Sequence, residues 1–400
     1  MPLLNIQDPP KQTPFSLFVL GFRPFFLAAG IFSMISMALW MANYSFGLSI
    51  PLEGLANFHW HAHEMIYGFT LAVISGFLLT AIKNWTGVQT IQYRPLMLLF
   101  ALWAGARVAL LFGTQFIVVA AILDLTFNLF LFLAMLQPIL KVKQWKQIGI
   151  ISKVLLLGIF NAFFYLGLLG YLDSGVHWGI YGGLFLLIAV VMNMGRRVMT
   201  FFIERGVGYP CQLKNSQFLD ISSLVLFLAL SIVEVFILDS HISSYLAAPL
   251  FIVSAIRLYN WHTKGIWKSS LLWGLYGSFI FMAIAFLLFA IFPYTSMISR
   301  SIIYHTLTVG GISLITVSMM SRVTLGHTGR SVTAPSALIN VAQWLLLFGA
   351  ITRVVLPVVL PDLYTSWILT SQLLWISGFG VFIWVNYPFL TKPRLDGAVG

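Results

Sequence analysis

Of the 400 residues, 60% are hydrophobic and only 8% charged, and the mean hydropathy is +0.94. A soluble domain carries roughly 25% charged residues, so this chain lacks the polar side chains to cover a water-facing surface. The net charge of +11 would suggest nucleic acid in a soluble protein. Here it marks Lys and Arg at the cytoplasmic rim of a membrane protein, which makes lipid the partner and excludes nucleic acid.

The start, "MPLLNIQDPPKQTP", is polar and Pro-rich, with no apolar run before a small-residue site, so no cleavable signal peptide is expected. Apolar runs of about 20 residues, enough to span a bilayer, then follow near 17–43, 59–82, 94–113, 116–140, 148–171, 177–195, 217–238, 245–262, 269–292, 300–322, 334–357 and 363–388. Helices are required because lipid-exposed backbone must satisfy its own hydrogen bonds. A barrel would need alternating strands of about ten residues, and these runs are longer and continuous. The expected fold is all-α, with about twelve transmembrane helices.

The charges alternate with the spans. Lys83 and Arg94 follow the second, and Lys141, Lys143 and Lys146 the fourth. Arg196, Arg197, Arg205 and Lys214 follow the sixth, Lys264 and Lys268 the eighth, Arg322 and Arg330 the tenth, and Lys392 and Arg394 the last. The odd-numbered loops hold almost none, with Arg300 the main exception. The positive-inside rule therefore puts both termini in the cytoplasm. The longest linker, 196–217, could separate pseudo-halves 1–195 and 217–400. No convincing self-similarity joins them, so 1–400 is taken as one membrane domain. The single cysteine, Cys211, excludes an intramolecular disulfide and a Cys-rich metal site. Any metal must be held by His, carboxylate, Met or Tyr.

The second span opens with "NFHWHAHEMIYGF", which holds His59, His61, His63 and Glu64. Both it and the tenth span begin at the outer face. His305 lies about one and a half turns into the tenth, roughly 8 Å, a depth similar to that of His63. His59 and His63 are four apart and share a helix face, whereas His61 is turned about 200° from each. One metal would not collect all three from a regular helix. Either His59 and His63 serve one centre and His61 another, or His61 meets headgroups or water. Imidazole is the commonest metal ligand and an axial grip on haem, so facing helices could supply one ligand each. The bland alternative is interfacial histidine at helix ends. HAHE is not the HExxH zinc motif, and no EF-hand or P-loop is present.

Other charges lie within spans: Arg107, Asp124, Arg257, Arg353 and, near an outer end, Glu234. Such groups pair or line a wet cavity. Arg107 and Asp124, on adjacent helices, are expected to pair structurally. Arg300, Arg353 and Arg107 are candidate clamps for a haem propionate, since guanidinium forks match carboxylates. Gly326 is expected to stop the tenth helix, leaving His327 and Arg330 at the cytoplasmic rim, with His327 as a candidate second ligand. Gly182-Gly183 and Gly310-Gly311 are either helix breaks or points of close helix approach.

The strings "GFRPFF" at 21, "WHAHEMIYGF" at 60, "GFLLTAIKNWTG" at 76, and "HTLTVGGISL" through "SRVTLGHTGR" at 305–330 resemble the NnrS family, in matching order over nearly the whole chain. "MGRRVMTFFIERG" at 194 is similar to a Gly-Arg-containing segment of that family, in divergent form. The resemblance implies a bacterial inner-membrane protein of about twelve helices, linked to nitric oxide metabolism and nitrosative stress, that binds haem, taken as haem b, and copper. Carried to this chain, it picks out His61, His63, Glu64, His305 and His327, with His59 just outside the string.

A distant architectural likeness to haem-copper oxidase catalytic subunits follows. Those also have about twelve helices and hold a haem between histidines on the second and tenth, a pattern that His63 and His305 reproduce. The further histidines of a binuclear centre are missing. The leading expectation is a haem protein meeting nitric oxide or nitrosyl-iron species. His63 and His305 would be axial ligands, with copper near His59, His61 or Glu64, and a quinol or another donor would supply electrons. Whether it is an oxidoreductase acting on nitric oxide stays open. The alternatives are a transporter of metal, haem or nitrosyl-iron, and a structural or sensory subunit without a cofactor.

Overall fold

The computed structural model describes residues 16–48 and 55–397. The Pro-rich start lies outside that range. Among the described residues there is no strand, and twelve helical spans are long and apolar enough to cross a membrane. In order these are α1 (Phe22–Phe46), α2 (Asn57–Thr86), α3 (Tyr93–Leu110), α4 (Gly113–Val142), α5 (Trp145–Leu168) and α6 (Gly175–Gly206). They continue as α7 (Gln217–Ile237), α8 (Ser240–Trp261), α9 (Ser270–Tyr294), α10 (Arg300–His327), α11 (Ala337–Val359) and α12 (Pro361–Thr391). The count agrees with the apolar runs, and most ends shift by a few residues.

The largest shift is in α6. The sequence places its end at 195, but the helix continues through Arg196 and Arg197 to Gly206, 32 residues in all. At 1.5 Å per residue that is about 48 Å, well beyond a hydrocarbon core of about 30 Å. Hydropathy registers only the greasy part, whereas backbone hydrogen bonding carries the helix on past the membrane edge. The connection to α7 shrinks accordingly.

Sequence neighbours pack in pairs, α3 with α4, α5 with α6, α8 with α9 and α11 with α12, and α1 packs against α12. Inside this arrangement sit α2 and α10. In their most apolar stretches 89% and 83% of residues are buried, against 61% or less in every other span. The helices that carry His61, His63 and His305 are thus the core of the bundle. The Gly182-Gly183 pair is a close approach and not a break. A Cβ on Gly183 would collide with the Tyr67 hydroxyl of α2, which donates to Gly179 O at 2.6 Å. Gly310 likewise leaves no room beside Phe281.

Three spans contain a π-helical turn: Glu64–Thr70 in α2, Val233–Ile237 in α7 and Thr306–Ile312 in α10. In α2, the Thr70 hydroxyl donates to Met65 O, five residues back, at 2.7 Å. Such wide turns insert a residue and re-aim the side chains around them, and they favour functional sites. Each lies at or beside a polar residue of interest: Glu64, Glu234 and His305.

At the other end of the bundle, Gly326 does not stop α10. The helix continues to His327, and the left-handed residue is Gly329, with φ of 72°. Only there does the backbone need a residue without Cβ. Arg23 of α1 reaches the carbonyls of Phe389 (3.2 Å), Leu390 (2.9 Å) and Lys392 (2.9 Å) at the end of α12. These are carbonyls that a helix terminus leaves open.

Candidate cofactor site

The first turns of α2 are regular helix up to His63, so His61 and His63 point to opposite sides. Both sides are protein interior. His63 is fully buried and faces α4 and α5. Its Nδ1 lies 2.9 Å from Glu64 Oε1 and its Nε2 2.9 Å from Asn161 Oδ1. Asp124 Oδ2 is 3.7 Å from Nε2. Arg107 of α3 ties the two acids together, 3.0 Å from Glu64 Oε1 and 2.5 Å from Asp124 Oδ2. The Tyr165 hydroxyl donates to Asp124 at 2.9 Å, and the Phe164 ring stacks on His63 at 4.2 Å. The expected Arg107–Asp124 pair is therefore present, as part of a larger cluster.

Charge decides how this cluster is built. Two carboxylates face one guanidinium in an apolar interior, and an uncompensated charge there is costly. Both ring nitrogens of His63 face oxygens.

His61 faces α1, α10 and α11. Its ring stacks on Trp40 with centroids 4.6 Å apart and planes 11° apart. His305 of α10 and Arg353 of α11 are its charged or chargeable neighbours. His305 Nδ1 is 2.7 Å from Ser301 O. A carbonyl only accepts, so Nδ1 carries the proton and Nε2 keeps its lone pair. Arg353 Nη2 lies 3.0 Å from Ser301 Oγ, 3.2 Å from His305 Nδ1 and 3.4 Å from His305 Nε2. Two buried nitrogens here have no hydrogen-bond partner, His61 Nδ1 and Arg353 Nη1.

The structure thus places His305 on the His61 side of α2, where both neighbour Arg353, and not on the side of His63, whose ring nitrogens are both engaged elsewhere. Depth along α2 does not distinguish the two, and only the facing does. His59 sits a turn earlier, half-buried, against Phe58 at 4.1 Å. Arg300 pairs with Glu234 of α7 at 3.0 Å, and that carboxylate also accepts from Tyr304 (2.8 Å) and Ser243 (2.5 Å). His327, at the far end of α10, lies 22 residues from His305, about 33 Å along the helix. It packs near Phe22 among Arg394, Lys83 and Arg23. That distance removes it from any centre that His305 serves. Asn161, Tyr165, Trp40 and Ser301 were not singled out from sequence. Asn161 and Tyr165 could have been, as polar side chains in an apolar run, whereas Trp40 and Ser301 carry no such signal.

The family model described as NnrS protein matches residues 16–394. The chain belongs to the NnrS family. No curated protein matches it. NnrS membership fits a multi-pass membrane protein related to nitric oxide. The NnrS reading also implies haem, and the donors beside His61 suit that group. Two imidazoles approach from separate helices, and the unpartnered Arg353 Nη1 is a donor in want of an anionic acceptor such as a propionate. Copper fits less well. Among the described residues, no group of three or more His, Cys, Asp or Glu could hold a metal ion.

Proposed function

We propose that this NnrS protein is a haem-binding protein of the bacterial inner membrane, acting in nitric oxide metabolism or protection from nitrosative stress. The observation that carries the reading is that His61 and His305, from the two most buried helices, both neighbour Arg353, which keeps an unused donor. His61 and His305 would hold the haem and Arg353 would take a propionate. Bound haem would supply an iron that binds nitric oxide or passes an electron to it. The chain's own residues do the rest. Ser301 O fixes the His305 tautomer and leaves Nε2 as the coordinating nitrogen. Trp40 holds the plane of the His61 ring. Copper would find only these two imidazoles among the site histidines, so it takes second place to haem. A quinol is a suitable electron donor for such a site.

The test is the reduced-minus-oxidised absorption spectrum of the detergent-purified protein and of His61→Ala, His305→Ala and His63→Gln, with metal analysis of each. A haem spectrum lost in the first two and retained in the third is expected, with a spectral shift on adding nitric oxide. A spectrum that survives both alanine variants, or a wild-type protein free of haem and metal, overturns the reading. A colourless protein would favour transport of a metal, haem or nitrosyl-iron species, which the π-helical turns of α2 and α10 also suit, since transporters bind at irregular mid-membrane helices.

A further inference from the structure

A second polar site lies at the arginine-rich end of the bundle, away from the histidines. There α5, α6, α7 and α8 enclose a cavity of about 200 Å³. Its polar wall includes Lys146, Arg196, Arg197, Arg257, Asp220 and Ser223. Four cations thus face one acid. Asp220 is shared, 3.4 Å from Arg196 Nη1 and 3.2 Å from Arg257 Nη2, so it compensates one arginine's worth of charge. Arg257 is 6% exposed, and all its hydrogen bonds run through Nη2, to Leu219 O (2.8 Å), Asp220 and Ser223 Oγ (2.7 Å). A guanidinium is planar and offers five donors in a fork that matches phosphate. Here most of that fork is left for something else. Arg197 is exposed and hydrogen-bonds Gln147 at 2.8 Å, which keeps it at the mouth of the cavity.

The remaining wall is apolar and includes Leu224 and Phe227. Leu224 is half exposed on the outside of the bundle, where lipid tails would lie. A basic pocket between helices at the cytoplasmic side, open toward the bilayer, is the setting in which anionic headgroups bind. We propose that this cavity binds a phosphate-type oxyanion, presented as the headgroup phosphodiester of an anionic phospholipid. The guanidinium forks of Arg196 and Arg257 would grip the oxygens, and Leu224 and Phe227 would line the acyl chain.

The experiment is native mass spectrometry of the detergent-purified full chain with added phosphatidylglycerol. Phosphatidylcholine and inorganic phosphate are parallel arms, and each arm is repeated with Arg196→Gln, Arg257→Gln and Asp220→Asn. The expected result is retention of phosphatidylglycerol over phosphatidylcholine, weakened roughly tenfold or more in each arginine variant and strengthened in Asp220→Asn, which removes the competing carboxylate. Arg196 is half-exposed, so its variant keeps the test valid if Arg257→Gln fails to fold. Inorganic phosphate bound with the same variant pattern, without any preference among lipids, supports the oxyanion site with water as its source. No preference in either arm, or a preference indifferent to all three substitutions, overturns the proposal.

Discussion

The two polar clusters on either side of α2 follow opposite plans. On the His63 side every charged group has a charged partner: Arg107 meets both Glu64 and Asp124, and His63 lies against both acids. On the His61 side there is a cation, Arg353, with imidazoles and a serine but no carboxylate among its hydrogen-bond partners. Both clusters keep some buried polar atoms without a hydrogen-bond partner, so the difference lies in charge: the first balances its cation with carboxylates, and the second does not. The lesson is that charge balance, more than the count of histidines, separates the cluster that holds the bundle together from the one suited to a cofactor.

The largest effect should come from unbalancing the closed cluster. Removing one partner of a buried ion pair typically costs about 3–5 kcal/mol. Arg107→Gln or Asp124→Asn should therefore lower unfolding stability by that order in a fixed detergent, while Arg353→Gln should cost about 1.5 kcal/mol or less. Equal losses at Arg107 and Arg353 would erase the distinction. An intermediate effect is expected at Glu234, buried but paired with the part-exposed Arg300. Glu234→Gln weakens charge-assisted bonds to Arg300, Tyr304 and Ser243 and should cost about 1.5–3 kcal/mol, read in the same unfolding assay.

The smallest effect belongs to an exposed carboxylate, Asp239, which caps α8 by accepting from His241 N (2.8 Å) and Ile242 N (3.0 Å). The backbone hydrogen bond from Ile242 chiefly holds its pKa below the ordinary value. A depressed folded-state pKa means the stabilisation is present above the unfolded value and fades as pH falls through the folded one. The stability gap between wild type and Asp239→Ala should therefore narrow on acidification below about pH 4. A gap that widens there would show that the cap does not act through the carboxylate's charge.

Much of this architecture is legible in the sequence because lipid is a demanding solvent. Apolar length reports each span. The Arg107–Asp124 pair follows from two opposite charges on adjacent helices. The facing of α2 does not follow. An amphipathic helix declares its buried side, but α2 is buried all round, so no polar stripe says whether His61 or His63 turns to α10. The π turns escape for a related reason: they depend on packing and on bonds such as Thr70 to Met65 O, not on composition. The reach of α6 beyond 195 was hidden because hydropathy ends at the membrane and the helix does not.

The contact between the first and last helices has a consequence for biogenesis. Arg23 is buried early in the chain, and the carbonyls it holds, on Phe389, Leu390 and Lys392, are synthesised after all eleven preceding helices. A nascent chain would carry eleven inserted helices with that guanidinium still awaiting its final seat. The clasp can close only after α12 has emerged and inserted, so it acts as a checkpoint on the presence of that helix. A chain cut short before α12 would present an unfinished α1 to membrane proteases, however well its other helices had inserted.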